Sequence, residues 1–230
     1  VGTGRKPEQR LADDFPGNVE SRQQVGYPGS GSDDQRAGLV AIPIGDHFER
    51  GFDPRPLHDC LAGLQDRPSL AGPRDVCRPG VLDEQVVIII STGMHRPSTP
   101  GERDIMLGKS LLQRCEVIDH QPDNPEALIR VSDDPPVSVN RRIIEADFRI
   151  VTGLIEPHFM AGFSGGRKGV CPALVDLNTV QRFHGYRIMG DPSSVERRLD
   201  SNPCHEEAIR VARLVGVDFL LNVAITHDRT

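Results

Sequence analysis

The pattern of hydrophobic and polar positions changes character near Val81. Downstream of it, Gln85-Val-Val-Ile-Ile-Ile90 is a continuous β-branched run, the mark of a strand buried on both faces. It leads into Ser91-Thr-Gly93. After a Ser-Thr-Pro-Gly-Glu turn, Ile105, Leu107, Leu111 and Leu112 fall at helical spacing between Asp104 and Cys115, and Cys115-Glu-Val-Ile118 reads as a short strand. Ala146-Asp-Phe-Arg-Ile-Val-Thr152 is another strand that runs into a glycine, Pro203 to Val215 predicts a helix, and Asp218 to Ala224 predicts a strand. This alternation predicts an α/β fold, with a mostly parallel, Rossmann-like sheet flanked by helices on both faces.

Upstream the pattern is poor. Residues 1–80 hold 12 of the 23 glycines and 9 of the 19 prolines, so turn and loop material dominates, and only Gly38 to Ile44 keeps an apolar run. The expected organisation is an irregular, loop-rich region over 1–80, or one read in a damaged frame, followed by an α/β domain over 81–230.

Composition narrows the class. With 37% hydrophobic and 26% charged residues and a formal net charge of -6, a globular, mildly acidic protein is expected, and nucleic acid is not an expected partner. There is no apolar run of membrane-spanning length and no basic-then-apolar leader, which points to a cytoplasmic protein without a membrane partner. Five scattered cysteines (Cys60, Cys77, Cys115, Cys171 and Cys204) form no C-x-x-C pair, so reduced, packed thiols are expected rather than a disulfide framework or a zinc site.

The candidate chemistry follows the strands. His95 comes a few residues after the first strand and His158 a few residues after the second, each past a glycine. Both would then project from the carboxyl ends of strands, the edge where ligands bind in open α/β sheets. A single such histidine is more often a plain loop imidazole; two at matching strand ends favour function. Between Gly153 and Lys168 the chain gathers Glu156, His158, glycines at 162, 165 and 166, Arg167 and Lys168. Those glycines permit positive φ and close approach of backbone N–H groups to an anion. The segment is no Walker loop, because Gly169 follows the lysine. The plainer explanation of Arg167 and Lys168 is a solvated basic turn. A third imidazole, His184, lies downstream, and imidazole is a common metal ligand that suits nickel among others.

The string Ser-Thr-Gly-Met-His95-Arg-Pro, then Gly-Leu-Ile-Glu-Pro-His158, then Ala-Gly-Phe-Ser-Gly-Gly-Arg-Lys168, then His184, resembles the signature of the nickel-dependent lactate racemase family, in its N-terminal catalytic domain. The likeness runs over about residues 81–230. It implies racemisation or epimerisation of a lactate-like 2-hydroxy acid by reversible hydride transfer to a nickel-pincer nucleotide, a pyridinium-based mononucleotide bound covalently through Lys168. His184 would be the metal ligand, His95 and His158 the acid/base pair, and Ser164, Gly165 and Gly166 cofactor contacts. The partners it implies are the small-molecule acid and the proteins that synthesise the cofactor. Members of the family also carry an upstream Asp-x-Thr-Arg-Pro motif, which has no counterpart here; Asp53-Pro-Arg-Pro56 and Asp66-Arg-Pro68 have the wrong spacing. The family continues into a second α/β domain, so this chain reads as a fragment with impaired activity. Two alternatives stay open: a noncatalytic phosphate- or nucleotide-binding domain gripping an anion with the Ser164 to Lys168 turn, and an inactive remnant of the enzyme.

Overall fold

The computed structural model describes residues 38–43 and 85–224. Five parallel strands make the main sheet: β1 (Gly38–Pro43), β2 (Val86–Ser91), β3 (Glu116–Asp119), β6 (Phe148–Leu154) and β9 (Phe219–Val223), in the order β3-β2-β1-β6-β9. The α/β class expected from the alternation is what forms. β1 pairs with β2 on one side, Gly38 opposite Val86, and with β6 on the other, Gly38 opposite Phe148. Chain order reverses direction across the sheet at β1, and the crevice at the carboxyl ends of β1 and β6 is therefore the switch point where such sheets take ligands.

β1 corrects the expected boundary. The α/β unit does not begin at residue 81: its central strand comes from 38–43, the one apolar run upstream. The remainder of 1–80, and with it the loop-rich or frame-damaged reading, lies outside the described residues.

The β2 run packs in two directions, as its uninterrupted apolar character requires. Val87 and Ile89 join one core cluster with Val151 of β6 and with Ala208, Val211, Ala212 and Val215 of helix α5 (Pro203–Val215). Ile88 and Ile90 join the other with Met106, Leu107 and Leu111 of helix α1 (Pro100–Arg114). Burial of each valine, leucine, isoleucine or methionine side chain here is worth roughly 1.5–3 kcal/mol relative to exposure.

α1 starts four residues before the predicted Asp104 because Thr99 and Glu102 form a capping box. The Thr99 hydroxyl accepts the Glu102 N–H and the Glu102 carboxylate accepts the Thr99 N–H, satisfying two end donors at once. α5 occupies the predicted Pro203–Val215, with the Asn202 side chain accepting the Cys204 and His205 N–H groups and Gly216 ending it in the left-handed conformation.

A hairpin, β4 (Leu128–Asp133) and β5 (Pro136–Asn140), lies between β3 and β6 and is followed by the short helix α2 (Arg141–Glu145). Two-residue strands β7 (Pro157–His158) and β8 (Gly162–Phe163) follow β6, then a 3-10 turn over Gly166–Gly169, helix α3 (Leu177–Phe183) and helix α4 (Tyr186–Met189). Cys115, Cys171 and Cys204 are buried thiols; Cys60 and Cys77 lie outside the described residues. Among the described residues no helix is long and apolar enough to cross a membrane.

Candidate active site

His95 sits in the loop that leaves β2, and that loop is held at both ends by the last residue of β3 and the one after it. At its start, the Thr92 hydroxyl donates to the His120 carbonyl at 2.9 Å, and the His95 N–H donates back to the Thr92 carbonyl at 2.9 Å. At its far end, the Ser98 N–H and hydroxyl both donate to Asp119 Oδ1, at 3.1 and 2.6 Å, and Arg103 donates to Asp119 Oδ2 and, through Nε, to Ser98 Oγ. Gly93 stands at φ +58, a backbone conformation open to glycine. The His95 side chain itself is exposed.

His158 belongs to β7, immediately past β6. Its Nδ1 accepts the N–H groups of Met160 and Ala161 at 3.3 and 3.2 Å. An accepting Nδ1 puts the proton of the neutral ring on Nε2. The ring stacks on Phe159 with centroids 4.8 Å apart.

The glycine-rich segment folds back against the end of β6. His158 pairs with Gly162, and Pro157 with Phe163. Gly162, Gly165 and Gly166 all adopt positive φ, at +76, +70 and +54, the conformation their glycines were expected to permit. Gly153 is glycine for a second reason, space: a Cβ there would stand 2.8 Å from Gly165 Cα and 2.7 Å from Asn222 Oδ1.

The polar groups of this segment serve the turn itself. Ser164, expected among the cofactor contacts, is buried; its hydroxyl donates to the Leu154 carbonyl at 2.6 Å and accepts the Glu156 N–H at 2.9 Å. The Gly166 N–H donates to Asn222 Oδ1 at 3.0 Å, the Ser164 N–H to Glu156 and the Lys168 N–H to Gly165. Three amides of the proposed anion cradle are thus committed within the protein. Arg167 is not a solvated basic residue: it is 0% exposed, and its guanidinium donates to the carbonyls of Ala161, Ser164 and Gly165. These bonds tie Ala161 to the Ser164–Gly165 turn. Lys168 is the half-buried cation of the turn.

The Lys168 turn packs toward the first turn of α5. Burial pushes the Cys204 thiol up, opposed by the Ser194 hydroxyl and by the charges of Lys168 and Arg167. The neighbouring His205 is driven down to about 4 by burial and then by the Arg167 charge, so it is neutral at physiological pH.

His184 caps the carboxyl end of α3 and is exposed. Its Nδ1–H donates to the Val180 carbonyl at 2.9 Å, which fixes the tautomer with the lone pair on Nε2, the form a metal ligand requires. Among the described residues, no three His, Cys, Asp or Glu side chains group as a metal site.

The backbone joins these pieces. The Gly93 N–H, two residues before His95, donates to the Ala173 carbonyl at 3.0 Å, five residues after Lys168, and the same segment continues through the Asp176 cap into α3 and His184. Sequence reasoning did not single out Asp119 and His120, which hold the two ends of the His95 loop, or the bond from Gly166 to Asn222; their signal was position at the carboxyl ends of strands.

A family model described as the lactate racemase N-terminal domain matches residues 74–196, more than half of the chain. The chain belongs to the lactate racemase N-terminal domain family. Among curated lactate racemases, it is 31% identical over 150 residues to that of Lactiplantibacillus plantarum and 32% identical over 164 residues to that of Thermoanaerobacterium thermosaccharolyticum. These alignments take in 64% and 66% of this chain but 35% and 38% of the relatives, so the chain spans little more than a third of their length. The lactate racemase apoprotein structure from T. thermosaccharolyticum aligns with a TM-score of 0.69 at 25% identity, covering 88% of this chain and 47% of that one. A Thermotoga maritima protein shares the fold, with a TM-score of 0.63 at 22% identity over 85% of this chain and 48% of that one. The family-matched region contains all four residues singled out above, His95, His158, Lys168 and His184.

Proposed function

We propose that this chain carries the cofactor-binding and proton-transfer groups of a 2-hydroxyacid racemase or epimerase acting on a lactate-like acid, with a nickel-pincer nucleotide attached through Lys168. The observation that carries the reading is the tautomer of His184: a helix-end imidazole whose Nδ1–H is tied to a backbone carbonyl presents Nε2 as a donor to a metal. Lys168, on a turn held rigid by Arg167 and Asn222, fits a covalent attachment point.

The hydrogen on C2 of a 2-hydroxy acid is a poor acid beside an ionised carboxylate, so removal as a proton is difficult. When bound, the cofactor supplies an acceptor for that hydrogen as hydride. The protein handles the other proton. His95 and His158 take the hydroxyl proton from one enantiomer or return it to the other, a task suited to imidazole, whose ring nitrogens can each donate or accept a proton. Nδ1 of His158 faces the Met160 and Ala161 amides, which makes Nε2 the nitrogen that carries the exchanging proton.

A noncatalytic anion cradle is the weaker alternative, because the amides of Ser164, Gly166 and Lys168 already have acceptors inside the protein. The test is to co-express the full chain with cofactor-synthesis proteins and measure bound nickel, the mass of the peptide containing Lys168, and racemisation of D- and L-lactate. An added mass on Lys168 with nickel and racemisation is expected. Unmodified Lys168 in metal-free protein overturns the reading.

A further inference from the structure

Among the buried titratable groups that the proton-transfer roles above leave unused is an imidazole beside the His95 loop. His120, 2% exposed at the end of β3, has both ring nitrogens engaged: Nε2 with the Val175 carbonyl at 2.9 Å and Nδ1 with Asn140 Nδ2 at 3.3 Å. The tautomer is forced by a chain of bonds. Asn140 Oδ1 accepts the Arg142 N–H at 3.0 Å, so its Nδ2 faces the imidazole as a donor. His120 Nδ1 must then accept, and Nε2–H must donate to Val175. Burial holds the imidazolium form down, so this neutral arrangement persists through the neutral range.

The backbone of the same residue completes a bridge. The His120 N–H donates to Ile90 at 3.0 Å, and its carbonyl accepts the Thr92 hydroxyl. On the other side, the Asn140 N–H donates to Leu174 at 2.8 Å and the Gly93 N–H to Ala173. One residue therefore joins the start of the His95 loop to the strand of chain between Lys168 and His184.

We propose that His120 is a positioning residue that sets the placement of His95 relative to the Lys168 to His184 segment, through its bonds to Thr92 and Val175. Its catalytic consequence rests on the racemase reading; its structural consequence does not.

The test uses the full chain and three variants. His120→Leu removes both ring bonds, His120→Gln keeps a donor near the Nε2 position, and Thr92→Val removes only the hydroxyl that reaches the His120 carbonyl. In cofactor-free protein, His120→Leu and Thr92→Val are expected to raise amide exchange at Gly93 and His95 by about tenfold or more, and to shift the 13C-labelled ring signals of His95, while amides in the middle of α5 stay unchanged. His120→Gln restores most of the protection. In cofactor-loaded protein, the same two variants lower kcat by on the order of tenfold to a hundredfold with little change in KM, as small misplacements of reacting groups do. If His120→Leu does not fold, Thr92→Val decides. Native exchange rates and native His95 signals in a folded His120→Leu or Thr92→Val protein overturn the proposal. A loaded wild-type chain that racemises no 2-hydroxy acid overturns the racemase reading, and the exchange measurements still decide the role of His120.

Discussion

Asn222 Oδ1, at the end of β9, accepts the Gly166 N–H at 3.0 Å across 56 residues of sequence. This bond fastens the turn that carries Lys168 to the edge of the sheet. Asn222→Leu leaves the Gly166 N–H without its acceptor and is expected to destabilise the protein by about 1–3 kcal/mol, whereas Asn222→Asp keeps an oxygen in place and costs less. Denaturant unfolding followed by circular dichroism measures both. Equal stability of the leucine variant and the native protein would contradict the assignment.

Gly153 admits no side chain. A Cβ at this position meets Gly165 Cα at 2.8 Å and Gly166 N at 3.1 Å, both backbone atoms that a rotamer change cannot move. Gly153→Ala is expected to lose about 1–3 kcal/mol, as overpacked cores do, despite alanine's better conformational economy in a strand. A thermal melt unchanged from the native protein would show that the turn has room to shift.

The His205 imidazole makes stability depend on pH. Its folded value of about 4 lies below the ordinary histidine value, so the unfolded state binds the extra proton between them. The contribution is fully present above about pH 6.5 and is lost as pH falls toward 4, up to about 3 kcal/mol. His205→Leu is expected to flatten the fall in unfolding free energy between pH 6.5 and 4 relative to the native chain. A native chain whose stability is level across that window would be inconsistent with a buried, neutral His205.

Arg96 and Glu102 form a surface pair beside the His95 loop, with contacts of 2.5 and 2.8 Å. The Arg96 guanidinium, with the Thr99 N–H, holds the Glu102 carboxyl down at about 2. Arg96→Leu should raise the Glu102 midpoint toward the ordinary carboxylate range, read by 13C NMR titration of its side chain. No movement would mean that the helix end and the Thr99 N–H alone set its acidity.

Under the racemase reading, His95→Asn and His158→Asn each lower lactate racemisation by on the order of 10²–10⁴-fold. The kcat/KM values in the two directions must fall by the same factor, because the two enantiomers have equal free energy and the equilibrium constant cannot change. Polarimetry from each pure enantiomer checks this. A variant with native rates in the cofactor-loaded protein would remove that histidine from the proton-transfer role.

The parallel sheet was legible because its strands carry their own signal: Val87 to Ile90 are apolar at every position, and the structure buries them against α1 and α5. The helix α5 was legible to the residue because Asn202 and Gly216 mark its two ends. β1 was harder, since four apolar residues between a glycine and a proline look the same whether they stand alone or between two partners. The β4–β5 hairpin has no Asn-Gly turn signal; Asp134 and Pro135 connect it. At the candidate site, residue type singled out His95, His158, Lys168 and His184 as candidates but gave no sign of the buried state of Arg167, which the three converging carbonyls explain. A guanidinium in a glycine-rich loop reads as surface charge until the loop is seen to wrap around it.

The middle strand of the sheet also fixes an order of events. β1 lies between β2 and β6, yet its partner Phe148 is 110 residues further along the chain than Gly38. Neither neighbour can find the other without it, so zipping up the sheet waits on long-range encounters whose entropic cost precedes their reward. A polypeptide begun after residue 43 would be left with two separate ribbons, β3-β2 and β6-β9, each showing a raw edge where β1 belongs.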